Sequence, residues 1–166
     1  MGNNILRKYR EDNKLKALTA VEDLTKSTIS VLNNDNYFPK RQKYLFAQHI
    51  SNNVLDAYET LRYANRLYPE SKALIHQRYE CVIEAERKVS SVVSDINMMP
   101  TLIRPEITDE KWFKNLQEQA IETDKLIKNY RISETKRFHK DLSEFNDNCK
   151  KKKLLKNTKD AFKAVS

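Results

Sequence analysis

Apolar residues recur along this chain at alternating steps of three and four. Ala17, Val21, Leu24, Thr28 and Val31 stand 4, 3, 4 and 3 residues apart. Ala47, Ile50, Val54, Ala57, Leu61, Ala64 and Tyr68 keep the same rhythm. So do Ile75, Tyr79, Val82, Ala85, Val89, Val92, Ile96 and Met99. A fourth series holds Phe113, Leu116, Ala120, Thr123, Ile127 and Tyr130, and continues weakly through Phe138, Leu142, Phe145 and Cys149. Such steps place a stripe on one face of an α-helix, whereas a half-buried strand alternates every two residues. The pattern predicts four amphipathic helices, over about residues 4–33, 40–68, 71–99 and from Trp112 onward. The charged stretch Asn4–Lys16 could form a short helix of its own.

The breaks carry their own signals. Asn33, Asn34, Asp35 and Asn36 predict a turn, because their side chains compete with the backbone for hydrogen bonds. Pro39 suits a first helical turn, where its missing N–H has no partner to lose. Pro69 predicts a tight turn and a helical hairpin between the second and third segments. Pro100 and Pro105 predict an aperiodic connection over 100–108, and Thr108 followed by Asp109 and Glu110 predicts an N-cap. Four amphipathic helices on short loops predict an all-α fold, an up-down-up-down four-helix bundle with a basic C-terminal extension. We expect residues 1–132 to be the bundle domain and 133–166 a basic helical or partly disordered extension. Helices of about 25–30 residues would be roughly 40 Å long.

Composition narrows the chemistry. The 166 residues suit one domain, and they include one glycine, Gly2. A glycine-rich phosphate loop, a dinucleotide fingerprint and a nucleophile elbow are thereby excluded. Cys81 and Cys149 match no metal spacing and read as reduced thiols of a cytoplasmic protein. No stretch resembles a signal peptide or reaches membrane-spanning length. His49, His76 and His139 lack the Glu-x-x-His pattern of a diiron bundle, and no nucleophile stands with a base. Ser90, Ser91 and Ser94 sit among valines, where small residues ease packing. We therefore expect no catalytic residue, no metal, no cofactor and no enzyme activity.

Charge changes the picture most. Lys plus Arg exceeds Asp plus Glu by 31 to 23, a net +8, which favours a polyanionic partner. Lys40, Arg41 and Lys43 would open the second helix, where the dipole makes each cation unfavourable by roughly 0.3–1 kcal/mol. Arg62 and Arg66 lie near its far end, and Arg78, Arg87 and Lys88 lie along the third. Lys150, Lys151, Lys152 and Lys153 begin a tail with seven lysines and one acid. A solvated helix face or a polar tail accounts for such runs too. Tyr37, Phe38 and Tyr44 beside the cations add the means to stack bases. These cations are the candidate nucleic-acid contacts.

The order of these features resembles a known family. "YFPKRQKYLFAQHI" precedes the seam "VLDAYETLRYANRLYP", then "ESKALIHQRYECVIEAERKVSSVVSDI", then a helix opening with Trp112–Phe113. Over about residues 15–132 this is similar to the accessory variability determinant family of diversity-generating retroelements. That family belongs to a broader group of bacterial four-helix-bundle proteins. Phe38-Pro39-Lys40, the Gln48 region and Ala64-Asn65-Arg66 carry the likeness. Where the family closes its last helix with small residues and tryptophan, this chain has "LIKNYRISETKRF" and a basic extension. The resemblance implies a ring-shaped homopentamer with a positive surface. It also implies binding to RNA, or an RNA/DNA hybrid, and to a reverse transcriptase, in support of mutagenic complementary-DNA synthesis. Two other readings stand beside it: a structural or oligomeric bundle module without a retroelement role, and a helical adaptor whose basic extension meets anionic lipid.

Overall fold

The computed structural model describes residues 3–37 and 46–143, with the side chains of 3–13 left aside. It is helical, with no strand among the described residues. Four long helices make up the fold: α1 Asn3–Asn33, α2 Gln48–Arg66, α3 Lys72–Leu102 and α4 Lys111–Arg137. A 3-10 turn, Pro105–Asp109, joins α3 to α4. The expected helix start at Pro39 lies outside the described residues. The charged stretch 4–16 is not a separate helix but the first half of α1.

The helices form because each has one continuous apolar stripe to bury. Ala17, Val21 and Leu24 on α1 meet Ile50, Val54, Ala57 and Leu61 on α2 within one core, all at 0% exposure. Val82, Ala85, Val89, Val92 and Ile96 of α3 and Phe113, Leu116, Ala120 and Ile127 of α4 complete it. Each helix packs on two neighbours: α1 on α2 and α4, and α3 on α2 and α4. Cross-links mark the pairings. Thr25 Oγ1 donates to the Val21 carbonyl at 2.7 Å and lies 3.3 Å from the Val54 carbonyl, and Lys14 Nζ reaches the Asn65 carbonyl at 3.4 Å. Ser90 Oγ donates to Asp124 at 2.6 Å, and Gln117 donates to Asn97 at 2.7 Å.

Several local expectations are corrected. The α1 stripe ends on Leu32 rather than Val31, because Leu32 is buried and Val31 only half so. Tyr68 leaves the seam altogether and is 73% exposed. Its place in the rhythm presumed that α2 continues, but Leu67 turns extended (ψ 112°) directly after Arg66. Pro100 does not end α3, which runs to Leu102. Proline's fixed φ is compatible with the helix, one N–H is forfeited, and burial of Met99 holds the turn in place. Thr108 does not cap α4. Its hydroxyl donates to the Pro105 carbonyl inside the 3-10 turn, and Glu110 occupies the N-cap without a side-chain cap bond. The Glu110 carboxylate instead accepts from Trp112 Nε1 and pairs with Arg104.

The ends are tied. Asn34 Oδ1 accepts the Asn36 N–H at 3.0 Å, forming the expected turn after α1. Tyr37 then stacks on Trp112 with centroids 4.9 Å apart and planes 17° from parallel, joining that turn to the start of α4. Ser71 caps α3 by accepting the Leu74 N–H at 3.3 Å. Residue 132 lies inside α4, and the chain is helical again over 139–143. There Leu142 is buried against Ile75 and Tyr79, and the His76 ring meets the Asp141 carbonyl at 2.9 Å.

Candidate nucleic-acid interface

Apart from Arg78, the cations marked by the sequence fall into three groups. Lys40, Arg41 and Lys43, and Lys150, Lys151, Lys152 and Lys153, lie outside the described residues. Arg62 and Arg66 are exposed one turn apart at the end of α2. Arg87 and Lys88 lie on α3, the former exposed beside Glu84 at 3.5 Å. Lys88 is half-buried, donating to Asp56 at 3.1 Å and to Asn53 at 3.4 Å across the α2–α3 seam.

Arg78 stands apart from all of these. It is 3% exposed. Its Nε donates to Glu134 at 2.6 Å, one terminal nitrogen donates to the Tyr130 hydroxyl at 2.6 Å, and the other to the Leu67 carbonyl at 3.1 Å. Burial lowers the pKa of this guanidinium, but Glu134 and Tyr130 outweigh that effect and leave it raised. Burial, helped by the Glu134 charge, also pushes the Tyr130 phenol well above its usual range. Arg78 is therefore a tie among α3, α4 and the α2–α3 turn, with no donor facing solvent for a phosphate. Residue type and spacing marked it as a surface cation, and the carboxylate that buries it is 56 residues away in sequence.

The same tie brings an unanticipated set of cations to one end of the bundle. Glu134 and Asp141 are held against α3 near Arg78 and His76, so Lys136, Arg137 and Lys140, all exposed, close that end beside the α2–α3 turn. Arg137 is 3.9 Å from Glu134. The sequence signal for this group was the basic last turn of α4, which a C-terminal helix dipole favours without any ligand.

A second polar network lies nearer the other end of α2. Asn53 Nδ2 is 3.0 Å from His49 Nε2 and 3.4 Å from Ser91 Oγ. Asp95 approaches the same imidazole nitrogen at 3.5 Å, with its Oδ2 buried and without a hydrogen bond. Burial raises the Asp95 carboxyl above the usual range, against the opposing effects of His49 and Asn53. Among the described residues no cluster of His, Cys, Asp and Glu could hold a metal ion. Cys81 is half-buried, and burial together with Glu80 raises its thiol. Among the described residues no helix is long and apolar enough to cross a membrane.

No family model, curated protein or solved structure matches the chain. Exposed guanidinium groups without an opposing carboxylate suit phosphate oxygens, which accept two parallel N–H bonds. Arg62 and Arg66 have this character: no described carboxylate pairs with either.

Proposed function

We propose that this protein is a non-catalytic nucleic-acid-binding accessory protein of a diversity-generating retroelement. It would bind template RNA, or an RNA/DNA hybrid, together with the reverse transcriptase, in the cytoplasm. The observation that carries the nucleic-acid part is the net +8 charge together with exposed Arg62 and Arg66 on a helix surface, neither paired with a carboxylate among the described residues. The retroelement part rests on the sequence resemblance over residues 15–132. The up-down-up-down connectivity belongs to the same reading. It is supported by cross-links in which rising numbers on one helix meet falling numbers on the next, as Lys14 meets Asn65 and Thr25 meets Val54. The basic run from Lys150 would serve as an electrostatic arm.

A second reading, a structural or oligomeric bundle module, is favoured by apolar side chains left at the surface. Met98, Ile121 and Ile132 are 52%, 52% and 43% exposed, apolar surface that a neighbouring copy could cover. A homopentameric ring is compatible with both readings.

RNA titration across a salt series tests the first. Each neutralised phosphate on a single strand contributes about −0.7 to the log–log slope. The variant Lys40→Ala, Arg41→Ala, Lys43→Ala should bind more weakly, with a slope shallower by about 2 if all three cations contact phosphate. A folded variant with wild-type affinity and slope makes that cluster an ordinary solvated segment.

A further inference from the structure

The α2–α3 turn presents aromatic rings and guanidinium groups together. On α2 the buried positions are Ala57, Leu61 and Ala64, and at 100° per residue Arg62, Arg66 and Tyr63 fall on the opposite arc. Tyr63 is 47% exposed, and its hydroxyl accepts from Gln77 at 3.0 Å, which fixes the ring against the start of α3. Tyr68 is 73% exposed, immediately beyond the helix end and before Pro69. A tyrosine this open is not part of the fold's core, yet the backbone beneath it is held firmly. Buried Arg78 donates to the Leu67 carbonyl at 3.1 Å, and the Glu70 N–H donates to the Tyr68 carbonyl at 2.9 Å. Exposed Glu59 and Glu70 border the patch, and neither pairs with its arginines.

We propose that this turn is a binding site for unpaired bases of single-stranded nucleic acid, with Tyr68 and Tyr63 stacking on bases and Arg62 and Arg66 taking the flanking phosphates. The inference rests on the nucleic-acid reading above and adds to it a place and a strand preference. Aromatic faces stack on any base, but a base inside a duplex offers no free face, so the site selects single strands. Charge complementarity chooses the occupant: exposed Arg62 and Arg66, which pair with no carboxylate among the described residues, at the end that also carries Lys136, Arg137 and Lys140, suit a polyanion better than an apolar peptide. Because Arg78 holds the turn from below, little backbone order has to be gained on binding.

The test uses the full chain and two probes, a fluorescein-labelled oligouridylate of about ten nucleotides and a blunt RNA duplex of equal length. Wild type should prefer the single strand. Tyr68→Ala should weaken single-strand binding roughly tenfold, leave duplex binding and the salt slope unchanged, and be rescued by Tyr68→Phe. Arg66→Ala should instead flatten the single-strand salt slope by about 0.7. Because Tyr68 lies outside the core, unchanged helicity and melting are expected and are checked for each variant. Wild-type affinity in Tyr68→Ala, or an equal loss for both probes, overturns the stacking site while leaving the nucleic-acid reading in place. Loss of self-association in Tyr68→Ala with RNA binding intact would make the turn a contact between copies, and also overturns it. Failure of wild type to bind either probe at low salt removes the broader reading itself.

Discussion

Removing Glu134 would leave the Arg78 guanidinium buried beside Tyr130 with no opposite charge. Breaking a buried pair from one side typically costs about 3–5 kcal/mol, whereas replacing both partners by apolar residues is often close to neutral. Glu134→Ala should therefore lower unfolding stability by about that amount in urea titration, and Arg78→Met with Glu134→Leu should recover much of it. Equal losses in the single and double variants would mean that the bonds to Leu67 and Tyr130, not the charge pair, carry the stability. Asp95 makes an opposite kind of prediction. Its folded pKa lies above the ordinary value because of burial, so the folded state holds the proton more tightly than the unfolded chain. The stability contributed by that proton is full below the ordinary carboxylate pKa and is lost as pH rises through the raised one. Once ionised at higher pH, near neutrality, the carboxylate faces His49 and Asn53, with Lys88 and Asp56 along the same seam, and has one buried oxygen unmatched. Asp95→Asn should stabilise the protein by about 1 kcal/mol there, and the gain should shrink as pH falls toward about 4. Thermal melts at the two pH values check the sign.

At the scale of the element, the seams carry the fold. Val54 and Val89 are fully buried on α2 and α3, so Val54→Asp and Val89→Asp each place an unpaired charge in the core. Each should cost several kcal/mol, on the order of 3 or more, and melt far below wild type. The seam residues of α3 and α4 were legible without coordinates because helical spacing and burial coincide wherever a helix is long and packed on two neighbours. Legibility failed at the ends. Tyr68 kept the rhythm after the helix had stopped, Thr108 had the chemistry of a cap but served a 3-10 turn, and Pro100 was absorbed into α3. The reasons differ: α2 stops at Arg66 before Tyr68, the Thr108 hydroxyl finds the nearby Pro105 carbonyl instead of a helix N–H, and α3 absorbs Pro100 by forgoing one backbone bond.

For the whole molecule, the proposed self-association would cover exposed Met98, Ile121 and Ile132. Light scattering at micromolar concentration should give a mass several times the 19.6 kDa of one chain, and a monomer would remove the ring from the proposed function. The candidate interface divides differently from the fold. Net positive charge and the exposure of Arg62 and Arg66 follow from composition and helical spacing alone, because solvated arginines opposite an apolar stripe need no tertiary information. The destination of Arg78 does not, since its carboxylate sits on another helix and only packing α3 against α4 brings the two within 2.6 Å. Nor does the grouping of Tyr63, Tyr68, Arg62 and Arg66 with the basic end of α4. The sequence by itself determined four amphipathic stripes and hence an all-helical core, because periodicity is a local property that burial reads directly. Tertiary structure alone decided which cations lie inside, which aromatic rings stand in water and which helix ends meet, because those depend on pairings between residues some 50 apart, where the chain carries no local signal.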